Sequence, residues 1–102
     1  MEQWLYILKP TRLGMLTEGP TDEEAATVSR HFAHLQELTE KGIMILVGRT
    51  QNADENTIGL AIFEAEDEAA ARNIMLSDPA IIEGVMAATL YPYRIALMRG
   101  MK

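Results

Sequence analysis

Ile43-Met44-Ile45-Leu46-Val47 and Thr57-Ile58-Gly59-Leu60-Ala61-Ile62-Phe63, joined through Gln51-Asn52-Ala53-Asp54-Glu55-Asn56, decide the fold. Both runs are apolar and rich in branched residues, and the Asn and Asp content between them suits a hairpin loop, so they read as two antiparallel strands. Upstream, Thr21 with Glu24 three residues on forms a capping box, and Asp22, Glu23 and Glu24 place negative charge at the positive end of a helix dipole. Ala25, Val28, Phe32, Leu35 and Leu38 then recur at helical spacing until Lys41-Gly42 supplies a stop. Further back, Gln3 to Lys9 is an aromatic and branched strand halted by Pro10, with a Gly- and Pro-punctuated loop running to Pro20. Downstream, Glu64 to Ser77 is acidic and then Ala-rich, a second helix with Ala70 and Ile74 facing inward. Asp78-Pro79 opens a short turn or helix that Gly84 interrupts, and Tyr91 to Met98 reads as the last strand.

The order strand, helix, strand, strand, helix, strand is the split βαβ arrangement, an α+β ferredoxin-like βαββαβ fold with one four-stranded antiparallel sheet in spatial order 4-1-3-2. Pro92 fits this topology, because proline cannot donate to a strand ladder and the fourth strand lies at an edge. The 102 residues make a single domain, 1–102.

An antiparallel sheet with one wet face should alternate apolar and polar residues, and these strands do not. Trp4, Tyr6 and Leu8 oppose Leu5 and Ile7; Ile43, Ile45 and Val47 oppose Met44 and Leu46; Ile58, Leu60 and Ile62 oppose Ala61 and Phe63. Two helices cover only one face of such a sheet, so the second apolar face calls for another cover. A homodimer with the sheets packed face to face supplies it. The alternative is that the loop from Pro10 to Pro20 folds over that face.

Nine Lys and Arg against fifteen Asp and Glu leave a net charge of −6, which repels phosphate backbones and anionic lipid surfaces, so no nucleic acid or membrane partner is expected. The chain has no cysteine, hence no disulfide, thiolate ligand or thiol nucleophile. Met1-Glu2-Gln3 lacks the basic start of a secretory signal, and the run Ile43 to Val47 is far too short to span a bilayer; a cytoplasmic protein is expected.

The two histidines, His31 and His34, lie on the first long helix and are the side chains that ordinarily titrate near neutrality. With Val28 set at zero on a helical wheel, Phe32 falls at about +40°, Leu35 at about −20°, His31 at about −60° and His34 at about −120°. This places His31 at the border of the buried stripe and tips His34 toward solvent. A border histidine is either a simple core edge or a half-desolvated acid/base group. Asp78 reads locally as an N-cap, with Pro79 at the first helical position. Ser29 and Ser77 sit in no nucleophile-elbow motif. His31, His34 and Glu37 share one side of the helix, but they lack the flanking pattern of helical zinc motifs, so no metal and no cofactor are called for. Arg12 and Arg49 offer charge for an anionic ligand, and Trp4, Tyr6 and Arg49 could line a small-molecule pocket.

His31-Phe32-Ala33-His34-Leu35-Gln36-Glu37-Leu38, running through Gly42 to Leu46-Val47-Gly48, resembles the pattern of the YCII-related (YciI-like) family, and Asp78-Pro79 with Gly84-Val85 is similar to its second signature. The resemblance covers nearly the whole chain and implies a ferredoxin-like protomer in a dimeric α/β barrel. It also implies an active site of one histidine and one aspartate, falling on His31 and Asp78, with His34 at a variable position. Arg49 stands where the family often has proline, and Ala80 where an aromatic often follows Asp-Pro. The family resembles muconolactone isomerase-type proteins and includes a dehydrochlorinase of chlorinated hydroxyquinols. A His-Asp pair suits proton transfer, Asp78 fixing the tautomer while the far nitrogen of His31 takes or gives the proton. The expected function is therefore general acid/base chemistry of isomerase or dehydrochlorinase type. The alternative is a non-catalytic homodimer that binds a small molecule.

Overall fold

Strand β1 (Glu2–Pro10) is the axis on which the protein is assembled, because it pairs antiparallel with β3 (Gly59–Ala65) on one side and β4 (Met86–Tyr93) on the other. Strand β2 (Met44–Arg49) adds antiparallel to β3, giving the order β2-β3-β1-β4. This computed structural model describes residues 1–101. The fold is the expected α+β ferredoxin-like arrangement, with β4 at the edge and its Pro92 opposite Trp4.

The helices are α1 (Gly14–Thr17), α2 (Asp22–Glu40), α3 (Glu68–Leu76) and α4 (Pro79–Ile82). Helix α2 starts as its sequence dictates: the Glu24 amide donates to Thr21 Oγ1 at 3.1 Å, and the Thr21 amide donates to Glu24 Oε1 at 2.8 Å. Arg12 adds a fork on the same carboxylate, Nε to Oε2 at 2.9 Å and Nη2 to Oε1 at 2.5 Å, so this arginine is consumed in tying the first loop to α2. Thr11 ties the loop's start to the turn after α4, donating its amide to the Val85 carbonyl at 3.0 Å and its hydroxyl to Gly84 O at 2.7 Å. That turn requires Gly84 at φ +72°, with the Val85 amide reaching back to Ala80 O at 3.0 Å.

Several boundaries differ from the sequence reading: β2 is Met44–Arg49 rather than Ile43 to Val47, β3 starts at Gly59 rather than Thr57, the short helix α1 lies within the first loop, and three further shifts have clear causes. The last strand is Met86–Tyr93 rather than Tyr91 to Met98. Pairing with the central strand overrides the weak β preference of Ala87-Ala88, and the β1–β4 register ends at Gln3↔Tyr93. The third strand runs on to Ala65, because β1 still offers Glu2 as its partner. Helix α3 consequently waits for Asp67, whose side chain accepts the Ala70 amide at 2.8 Å.

The core lies between the sheet and the helices, where Tyr6, Leu8, Leu35, Met44, Phe63 and Met75 are buried together. The Tyr6 and Phe63 rings meet edge to face, with centroids 5.7 Å apart and planes at 62°. On the opposite face, Leu5 and Ile7 of β1 align with Ile62 and Leu60 of β3 and with Tyr91 and Thr89 of β4. A register shift between Met44 and Leu46 turns Leu46 onto this open face opposite Ile62 and sends Val47 to the side of Ala61, so β2 does not keep the simple alternation read from its sequence. Leu46 is 51% exposed and Tyr91 44% exposed there.

The buried stripe of α2 is also rotated from the apolar wheel. Its buried or half-buried positions are Glu24, Thr27, Val28, His31, His34, Leu35 and Leu38, a face centred on His31, while Phe32 is 65% exposed. The apolar pattern misleads because this face meets α4 as well as the sheet, and polar side chains complete it.

Candidate active site

Three elements bring one side chain each to a common point. Asp78 caps α4, its Oδ1 accepting the Ala80 amide at 2.9 Å, and Pro79 follows at a position where no amide donor is missed. The same Oδ1 accepts from His31 Nδ1 of α2 at 2.6 Å, and Oδ2 accepts from the Tyr6 hydroxyl of β1 at 2.9 Å. Asp78 has 0% exposure. A carboxylate so deeply buried is costly unless it is paired and hydrogen-bonded, and here three donors surround it.

Burial pushes the Asp78 carboxyl upward, but hydrogen bonding and charge attraction from His31, then the Ala80 amide and the Tyr6 hydroxyl, outweigh it and hold the group below its ordinary value. The Tyr6 phenol is raised well above its ordinary value by burial first and by the neighbouring carboxylate second, so it stays protonated and donates. An ionised carboxylate only accepts, so His31 Nδ1 must carry a proton and the neutral ring keeps its lone pair on Nε2. Nε2 makes no hydrogen bond among the described residues, and the His31 side chain is 12% exposed. The arrangement fixes the imidazole through Nδ1 and leaves Nε2 as the nitrogen able to exchange a proton.

The other residues named from the sequence fall elsewhere. Trp4 is buried two positions along β1 from Tyr6, and its Nε1 has no partner. Arg49 ends β2 on the sheet edge, exposed, opposite Gly59. His34 does not lean into solvent: its Nε2 is buried without a partner. Glu37 pairs with Lys41 at 3.0 Å rather than joining the histidines, and no group of three or more potential metal-ligating side chains occurs among the described residues. The partnership of Tyr6 with Asp78 was not read from the sequence, although a tyrosine in the inward-facing set of a central strand needs a buried acceptor. A cleft of about 430 Å3 between the first turns of α2 and the turn after α4 is lined by Glu24, Thr27, Arg30, Glu83 and Val85 among others, and neither His31 nor Asp78 lines it. Arg30 Nη2 donates there to Thr27 Oγ1 at 3.1 Å.

The model of the YCII-related domain matches residues 5–92, from β1 through the edge strand and across both His31 and Asp78. The chain belongs to the YCII-related family. Among solved structures, this YCII-related protein is similar to 5-chloro-2-hydroxyhydroquinone dehydrochlorinase from Burkholderia phenoliruptrix, whose structure holds 2,5-dihydroxybenzoquinone. The two share 20% identity over 89% of this chain and 93% of that one, with a TM-score of 0.63, a likeness of fold. No curated protein matches the sequence. No helix among the described residues is long and apolar enough to cross a membrane.

Proposed function

We propose that this YCII-related protein is a cytoplasmic, cofactor-independent homodimer that catalyses proton transfer on a small aromatic or lactone-like molecule, with His31 as acid/base and Asp78 as its orienting partner. The observation that carries the reading is the contact of 2.6 Å between His31 Nδ1 and the fully buried Asp78, which leaves Nε2 as the free nitrogen. In an isomerisation, Nε2 takes a proton from one substrate atom and returns it to another. In an elimination it takes the proton from carbon, the C–H electron pair becomes the new π bond, and the leaving anion departs with its own pair. The dehydrochlorinase of like fold makes chloride a sensible first leaving group. Of Trp4, Tyr6 and Arg49, only Arg49 is exposed, and it is kept as the ligand contact for an anionic group.

The dimer half of the proposal rests on the open apolar face of Leu5, Ile7, Leu46, Leu60, Ile62 and Tyr91, which the first loop does not engage through its bonds to α2 and the α4–β4 turn. Light scattering on a sizing column at micromolar concentration should give twice the chain mass, and a monomer there refutes it. Catalysis is tested by offering a chlorinated hydroxyquinol and an unsaturated lactone and following chloride release and absorbance. His31→Ala should lower the rate by about 10²- to 10⁴-fold, the usual contribution of a placed general base. A ligand retained unchanged, with no turnover, would instead mark a binding protein.

A further inference from the structure

We infer that Tyr6 is a positioning residue: its hydroxyl, reaching from the central strand, locks the Asp78 carboxylate so that His31 is committed to the tautomer with a free Nε2. The inference rests on the reading of His31 as a base, and it deepens that reading by assigning what holds the base in place.

Helix α4, which carries Asp78, has four residues, too few to hold a side chain rigidly by its own hydrogen bonding. The carboxylate therefore needs an anchor outside its own helix, and two are present. One is His31 itself, the group to be positioned. The other is Tyr6, which has 0% exposure, lies in the strand hydrogen-bonded on both sides, and has its ring braced edge-on by Phe63. Tyr6 reaches Oδ2, while the Ala80 amide and His31 share Oδ1. Each donor has its place: a rotation of the carboxylate that improved one bond would break another. Among the described residues no Lys or Arg pairs with Asp78, so these neutral donors and the imidazole are what satisfy the charge. A hydroxyl buried in this way presents nothing to a ligand.

Tyr6→Phe keeps the ring and deletes the donor. Long-range nitrogen–proton correlation spectra of the imidazoles, recorded with the rings neutral, read the tautomer directly, and exchange of the Nδ1 proton with water reads how firmly it is held. In the wild-type protein His31 should be the Nδ1–H form. In Tyr6→Phe, exchange of that proton should quicken by about fivefold or more, the factor that corresponds to the loss of a net hydrogen bond of about 1 kcal/mol, and the other tautomer should become visible. Placing 3-fluorotyrosine at position 6, which retains the donor, should restore the wild-type signature. A folded Tyr6→Phe protein with unchanged tautomer and exchange overturns the inference. So does an Nε2–H tautomer in the wild-type protein, a result that does not depend on any variant folding. These spectra need no substrate, so loss of the catalytic reading, through turnover surviving in His31→Ala, is a separate outcome.

Discussion

Replacing Asp78 with asparagine keeps the shape of the buried group and removes its charge. Three bonds end on this carboxylate, from His31, Tyr6 and the Ala80 amide, at 2.6, 2.9 and 2.9 Å. Hydrogen bonds to a charged group contribute about 1 kcal/mol more than neutral ones, so the variant forfeits about 3 kcal/mol, partly offset because a charge no longer has to be buried. A net loss of about 2 kcal/mol at neutral pH follows, which for a chain of this size lowers Tm by about 8–16 °C. The sign of the pH dependence is determined by the direction of the Asp78 shift. Its carboxyl is held below the ordinary value of 3.8 in the folded protein, so its contribution is fully present above that pH and is lost as pH falls through the lower, folded value. Thermal melts of the two proteins at pH 7 and at about pH 2.5, at equal protein concentration so that any association cancels, should show a wide gap at the first pH and a narrower one at the second. Equal melting at neutral pH, or a gap that does not change with acid, would refute the reasoning that an ionised, satisfied carboxylate occupies this position.

Four further outcomes follow from particular contacts. Leu35→Ala should cost about 2–5 kcal/mol in denaturant titrations, whereas Phe32→Ser, despite removing an aromatic from the same helix, should cost no more than about 0.5 kcal/mol, since Phe32 is 65% exposed. Arg12→Ala should lower Tm and speed amide exchange in α1, with both effects shrinking at high salt. Because Glu24 is held down to about 2, first by the Arg12 side chain, the wild-type advantage should persist above the ordinary value of 4.5 and fade as pH drops toward 2. Ile62→Lys, at the centre of the open sheet face between Leu5 and Leu46, should turn the proposed dimer into a monomer by light scattering without unfolding the protomer.

The topology was legible because each signal that specifies it is local. The capping box at Thr21 and Glu24 forms as its spacing predicts, and Pro92 occurs on an edge strand. What could not be read depended on contacts between elements. Leu46 faces the open side because of an irregularity in pairing with β3, which no pattern within β2 encodes. The inward face of α2 is defined by α4 and Asp78 as much as by apolar residues, so a wheel built on Val28, Phe32 and Leu35 turned His34 the wrong way and left His31 at a border when it lies at the centre. The alternation of β1 groups Tyr6 with Trp4 and Leu8 without telling which face the helices cover, and the partner of its hydroxyl lies 72 residues away in sequence.

Asp78 shows why a local explanation and a functional one need not compete. As an N-cap its Oδ1 satisfies the Ala80 amide, and an ordinary cap is worth about 1 kcal/mol. That is too little to account for its surroundings, because an exposed aspartate caps equally well, while complete burial of a carboxylate costs several kcal/mol unless other donors compensate. The cap therefore explains why aspartate is favoured at the start of α4, and it leaves unexplained why α4 carries that aspartate into the core. The contacts with His31 and Tyr6 add to the Ala80 amide what the burial demands, and His31 keeps a second nitrogen that no described residue engages. That nitrogen is the one the proposed acid/base role uses, so the same aspartate serves as cap and as partner of the proposed base.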